Sequence, residues 1–157
     1  MTKARKTIIA RAGAVLAASV LASATFAQDA NPAVKARQSL MQLYAYNLGT
    51  LGAMAQEKAP YDAEAAQAAA GNLATLTTLN VGSMWPAGTD ASSIEGTRAL
   101  PALWENMDDV GARGAALREA AAAMAAAAGT DLASLQAAMG PLGGACGGCH
   151  ETYRQTQ

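Results

Sequence analysis

Aromatic residues are scarce in this 157-residue chain: one phenylalanine (Phe26), two tryptophans and four tyrosines, 4% of the total. A core with so few bulky side chains needs either close packing of small residues or a large bound group to fill its volume. Strand-favouring residues are thinly spread, while long stretches run as Ala with Leu, Met, Glu and Gln. The 42 alanines therefore favour a helical fold and argue against a β-rich one. Apart from the Ala-rich stretch 120–128, which reads as packed helix, the one long apolar run is Ala12–Ala27, shorter than the ~20 residues that span a bilayer.

That one run is flanked by an uneven charge distribution. Lys3, Arg5, Lys6 and Arg11 lie before it, and no acid appears before Asp29. A basic start, an apolar middle and small residues at Ala22-Ser23-Ala24 and Thr25-Phe26-Ala27 form the pattern of a secretory signal peptide, residues 1–27, with cleavage expected after Ala27. The mature domain, residues 28–157, is then expected in the periplasm with no membrane attachment. It carries seven Lys/Arg against twelve Asp/Glu, a net charge of −5. Its cations stand singly along the chain, so the basic footprint of a nucleic-acid binder is lacking.

Four helices are legible in the mature chain. Asn31-Pro32 opens the first, with Asn as N-cap and Pro at the first helical position, and the run continues to about Lys58. Val34, Arg37, Met41, Tyr44, Leu48, Leu51 and Ala55 share one of its faces, Arg37 being the exception to an apolar stripe. Asp62 caps a second helix through roughly Leu79. A loop rich in Gly, Ser, Thr and Asp covers residues 80–97, and a third helix follows from about Pro101 to Ala128, with Leu103, Trp104, Met107, Val110, Leu117 and Met124 as inward candidates. Thr130 or Asp131 caps a fourth, to about Gln155, where Pro141 predicts a kink or break near Gly140. Such helices with short connections predict an all-α, antiparallel four-helix bundle.

Both cysteines and the sole histidine fall within Cys146-Gly147-Gly148-Cys149-His150. This C-x-x-C-H spacing is that of c-type heme attachment: two thiols three residues apart each add to one porphyrin vinyl group, and the adjacent imidazole reaches the iron. Gly147 and Gly148 let the backbone approach the porphyrin edge. A redox dithiol usually opens a helix after a strand, whereas this motif lies near the end of the last helix. A structural zinc needs about four ligands, which two Cys and one His do not supply without a carboxylate such as Glu151. A Cys146–Cys149 disulfide would close a small, strained loop. Covalent heme c, one per chain, is the reading these features favour.

With that motif near its C-terminus, the chain resembles the class II c-type cytochromes, the four-helix family that includes cytochrome c′. The resemblance covers essentially the whole mature chain. It is carried by Arg37-Gln38-Ser39-Leu40-Met41, Ala59-Pro60-Tyr61-Asp62, Pro86-Ala87-Gly88-Thr89, Leu100-Pro101-Ala102-Leu103-Trp104 and Cys146 to Arg154. It implies a heme held between the helices, with His150 on the proximal side and the first helix over the distal side. It further implies that Arg37 and Gln38 meet the propionates, that Asp90 contacts the heme, and that Arg154 lies beside the proximal ligand. An Arg on an apolar face calls for a buried anion, which propionates provide.

Met41 divides the family's two branches. In the cytochrome c′ branch this position carries an apolar cover over five-coordinate iron that admits nitric oxide or carbon monoxide. In the low-spin branch a Met here ligates the iron through sulfur, which favours electron transfer. The Gly140-Pro141 step looks more like the low-spin branch, whereas Arg37 resembles the cytochrome c′ branch; a periplasmic electron carrier with Met41 as sixth ligand is expected, and a gas-binding protein is the alternative. No second histidine exists to act as the distal acid–base group of a heme enzyme, so catalysis is not expected. Redox proteins are the expected partners, and a homodimer through the first two helices is compatible with the resemblance.

Overall fold

A computed structural model describes residues 31–156, so the expected signal peptide lies outside the described residues. They form α1 (Pro32–Ala55), α2 (Ala63–Leu76), a 3-10 turn (Gly82–Met84), a short α3 (Ala102–Glu105), α4 (Met107–Ala127) and α5 (Leu132–Tyr153). The long helices pack in a ring, α1 on α2, α2 on α4, α4 on α5 and α5 on α1. This is the antiparallel four-helix bundle that the sequence predicts. Among the described residues no helix is long and apolar enough to cross a membrane.

The expected caps are present. The Asn31 side chain accepts from the Ala33 and Val34 N–H groups, Asp62 from Ala65, and Asp131 from Ser134. The helix ends are less regular. α1 stops at Ala55, short of Lys58, because the chain closes it with Lys58 N–H on the Ala53 carbonyl and Glu57 N–H on that of Met54, at 2.8 and 3.0 Å. This closure needs a left-handed residue after the cap, a place usually taken by Gly; here Glu57 occupies it at φ 56°. α2 ends at Leu76, where Thr75, Thr77 and Thr78 turn their hydroxyls onto carbonyls three or four residues back. Leu79, assigned by spacing to that helix, is consequently outside it and exposed.

Two further expectations change. The third helix is broken at Asn106 (φ −133°, ψ 45°), because Trp104 Nε1 donates to the Trp85 carbonyl at 3.1 Å and ties α3 to the loop. Met107, counted as inward, is therefore exposed at the break. α5, by contrast, runs unbroken through Pro141. Pro141 and Ala137, whose carbonyl loses its helical donor, are both exposed, so the break in the ladder faces solvent and not the core.

The main buried cluster lies at one end of the bundle, while Val34, Leu40, Leu103 and Tyr153 are buried outside it. Leu51 and Met54 of α1, Ala66, Ala70 and Leu73 of α2, Ala121 and Met124 of α4, and Leu135 and Leu142 of α5 form one buried cluster. Alanines let the helices approach closely there, which answers the shortage of aromatics at that end. Across the bundle Asn72 donates to the buried Asn47 side chain at 3.0 Å, a polar pair between α1 and α2.

Candidate functional site

The cluster ends on α5 at Leu142, one turn before Cys146. Cys146, Cys149 and His150 stand three and four residues apart, on one face of the helix and half-buried. Neither thiol is in a disulfide. Burial pushes both thiols above their ordinary value; for Cys146 the nearby Cys149 adds to this, and for Cys149 the Arg113 cation partly offsets it. A reactive dithiol requires the opposite, a thiol depressed towards neutrality. No group of three or more His, Cys, Asp or Glu able to hold a metal ion occurs among the described residues, which leaves the zinc reading without a ligand set. Burial, then the Arg154 and Arg98 charges, hold His150 below the usual imidazole range, so its ring is neutral and able to bind a metal at pH 7.

The surroundings fit a porphyrin. Past the packed end, α1 presents Met41, half-buried Tyr44 and buried Arg37, while α5 presents the two thiols and the imidazole. Tyr44 donates to the Leu76 carbonyl at 3.2 Å, and its phenol is raised first by burial and then by the nearby Cys146. Among the described residues Arg37 has no carboxylate partner, although it is only 4% exposed. A buried cation without a counter-anion is the kind of residue that a heme carboxylate satisfies.

Arg37 is nonetheless well bonded. Nη1 donates to Thr89 Oγ1 at 2.8 Å and to the Met84 carbonyl at 3.2 Å, and Nη2 to Thr97 Oγ1 at 2.7 Å and to the Thr89 carbonyl. Its guanidinium also lies 4.8 Å from the Trp85 ring centroid and 5.8 Å from that of Trp104. The residue read as an anion binder is thus also the post that holds the long loop. Arg37→Gln is expected to destabilise the protein by about 3 kcal/mol, since charged hydrogen bonds to buried carbonyls are lost. The check is thermal unfolding together with faster exchange of the Ala91 N–H, which pairs within the loop to Ala99.

The other positions fall out differently. Gln38 is exposed and donates from Nε2 to the Gly96 carbonyl at 2.6 Å, a second tie to the loop. Asp90 accepts from both N–H and both hydroxyl groups of Ser92 and Ser93, which hold its carboxyl far below the usual range and occupy its two oxygens with a local turn. The structure gives it no side-chain contact beyond that turn. Arg154 closes α5, its N–H on the His150 carbonyl at 3.1 Å, in an isolated antiparallel bridge with Ala99. Met41 is 37% exposed and outside the core. One residue was not singled out from the sequence: Arg113 of α4, which donates to the Gly148 carbonyl inside the cysteine motif.

Comparison with known proteins places these observations. The family model for cytochrome c′ matches residues 32–154. Cytochrome c-554 of Cereibacter sphaeroides is 50% identical over 140 residues, 87% of this chain and 92% of that one. Among solved structures, cytochrome c′ from Rhodobacter spheriodes has a TM-score of 0.79 at 40% identity, covering 80% of this chain and 97% of its own. A cytochrome c′ described for an unusual ligand-controlled dimer dissociation has a TM-score of 0.73 at 30% identity, over 80% and 95%.

Proposed function

The chain belongs to the cytochrome c′ family and carries covalent heme c, and from that premise we propose that it is a periplasmic electron carrier, with Cys146 and Cys149 holding the heme, His150 on the iron and Met41 at the sixth position. Heme c supplies a one-electron couple between ferric and ferrous iron. The observation that carries the reading is the state of Met41. Met54 and Met124 are buried in the core, as a space-filling methionine is, whereas Met41 lies beyond it and is 37% exposed. Its thioether would therefore be available as a soft donor from α1, and His150 of α5 would supply the imidazole. The two thiols fix the heme to α5 and Arg37 supplies positive charge for its carboxylates. Electron transfer asks no acid or base of the side chains, in keeping with a chain whose sole histidine is used as a ligand.

Its partners are other redox proteins. Leu43 and Tyr46, exposed on α1, offer apolar surface to a second copy of the chain. The exposure of Met41 also favours a second reading, in which the side chain swings aside and the iron takes nitric oxide or carbon monoxide.

The test is the purified exported protein. Its intact mass is expected to exceed that of residues 28–157 by one heme, and its visible spectrum to be low-spin with a thioether-to-iron band in the red. An unmodified mass with two free thiols overturns the attachment; a high-spin spectrum in both oxidation states overturns Met41 ligation in favour of gas binding.

A further inference from the structure

Behind the cysteine motif, α4 and α5 are joined by a charged bracket. Arg113 Nη1 donates to the Gly148 carbonyl at 2.5 Å, and its Nε donates to Asp109 Oδ2 at 2.6 Å. The Tyr153 hydroxyl donates to that same Oδ2 at 2.6 Å, and the Arg113 guanidinium lies 5.5 Å from the Tyr153 ring centroid. Arg113–Asp109 is the one ion pair among the described residues. Asp109 and Arg113 are one turn apart on α4; Gly148 and Tyr153 stand on either side of His150. A Cβ at position 148 would stand 3.4 Å from Arg113 Nη1, at the edge of ordinary van der Waals contact.

The bracket is oriented. Its positive end rests on the backbone between the two cysteines, and its negative end is turned to Tyr153. The Tyr153 hydroxyl, and after it Arg113, hold the Asp109 carboxyl below its usual range, so both charges are present at neutral pH. Through the Gly148 carbonyl the Arg113 guanidinium reaches the backbone between Cys146 and Cys149, two residues before His150.

We propose that Arg113 is a positioning residue that sets the reduction potential of the heme iron, fixing the Cys149–His150 turn through Gly148 and placing beside it a cation whose strength Asp109 moderates. This rests on the assignment of Cys146, Cys149 and His150 to the heme. A nearby positive charge disfavours the more positive ferric centre; a nearby negative charge does the reverse. Removing Arg113 therefore favours the ferric form, and removing the Asp109 charge favours the ferrous form. If the bracket only stiffened the turn, both losses would loosen it and shift the potential in one direction.

The experiment is a spectroelectrochemical titration of heme-loaded wild type, Arg113→Gln, Arg113→Lys, Asp109→Asn and Tyr153→Phe. At the wild-type midpoint, Arg113→Gln is expected to lower the ferrous-to-ferric ratio by up to about tenfold, the scale of one partly buried charge, which is ~59 mV for one electron. Asp109→Asn is expected to raise the ratio, Arg113→Lys to restore most of it, and Tyr153→Phe, which keeps both charges, to stay within about twofold of wild type. Shifts of the same sign in Arg113→Gln and Asp109→Asn, or shifts below about twofold in both with heme attached, overturn the proposal. Should Arg113→Gln fail to accumulate, a Tyr153→Phe shift as large as that of Asp109→Asn overturns it equally. A wild type without attached heme overturns the ligand assignment itself, and this inference with it.

Discussion

With both Cys146 and Cys149 replaced by Ser, the protein is expected to lose its acid-stable heme and, with it, the order of the bundle's cysteine end, while the alanine-packed end keeps its helices. The reason lies in α5. Between residues 140 and 148 it contains Gly140, Pro141, Gly143, Gly144, Gly147 and Gly148. Relative to alanine, five glycines at ~1 kcal/mol and one proline at ~3 disfavour that helix by about 8 kcal/mol. Local preference therefore cannot hold it, and the apolar cluster stops at Leu142. Burying a porphyrin removes several hundred Å² of apolar surface from water, on the order of 10 kcal/mol at ~25 cal/mol per Å² before entropy and unfolded-state corrections. The two quantities are of one size, so the cofactor decides whether this half of α5 is helical. Amide exchange and NMR dispersion provide the check. Broad signals and fast exchange over residues 140–153, against protection at Leu51, Leu73 and Met124, are expected; sharp, dispersed side-chain signals throughout the heme-free variant would contradict the argument.

Replacing Met41 by Ala in the heme-loaded protein is expected to turn a low-spin, gas-inert spectrum into a high-spin one that responds to carbon monoxide, and to lower the reduction potential. A thioether stabilises ferrous iron, and its loss opens a coordination position that this part of the chain has no second group to fill. Gln38 is engaged with the Gly96 carbonyl and Arg37 with Thr89 and Thr97, and an alanine at 41 presents no donor. Because Met41 is outside the core, the substitution leaves no cavity in it, and the loss of fold stability is expected to stay below the ~2–5 kcal/mol of a buried Met→Ala change. A wild type that already binds carbon monoxide, with binding only accelerated in Met41→Ala, would show that the side chain is a cover and not a ligand.

The sequence shows most plainly what depends on local rules. Asn31, Asp62 and Asp131 announce their helices because each is a side-chain acceptor placed where a helix begins with unpaired N–H groups. The Cys146–His150 motif is legible because its chemistry is written in adjacent residues. What is hidden depends on contacts distant in sequence. Nothing around Asn106 breaks a helix by composition; the break follows from the Trp104 bond to Trp85. Leu40 and Met54 are buried off the stripe that spacing suggested, since neighbours on two sides enclose α1. Arg113 looked like one surface cation among seven, and its only local sign was Asp109 four residues earlier. Asp90 is an instructive case: beside Ser92 and Ser93, an aspartate has acceptors enough only for its own turn.

The long loop gains a mechanical meaning from its ties. At the alanine-packed end, contacts such as Gln136 with the Ala55 carbonyl brace α1 directly against α5. At the other end the brace is the loop: Arg37 grips it at Thr89 and Thr97, and Arg98 and Leu100 hook it onto Gln155 and Tyr153 at the tail of α5. Met41 is one turn from the first anchorage and His150 one turn from the second. The two residues proposed to ligate the iron thus each lie one turn from an anchorage of the same loop, so a change in that loop would reach both helices that carry them.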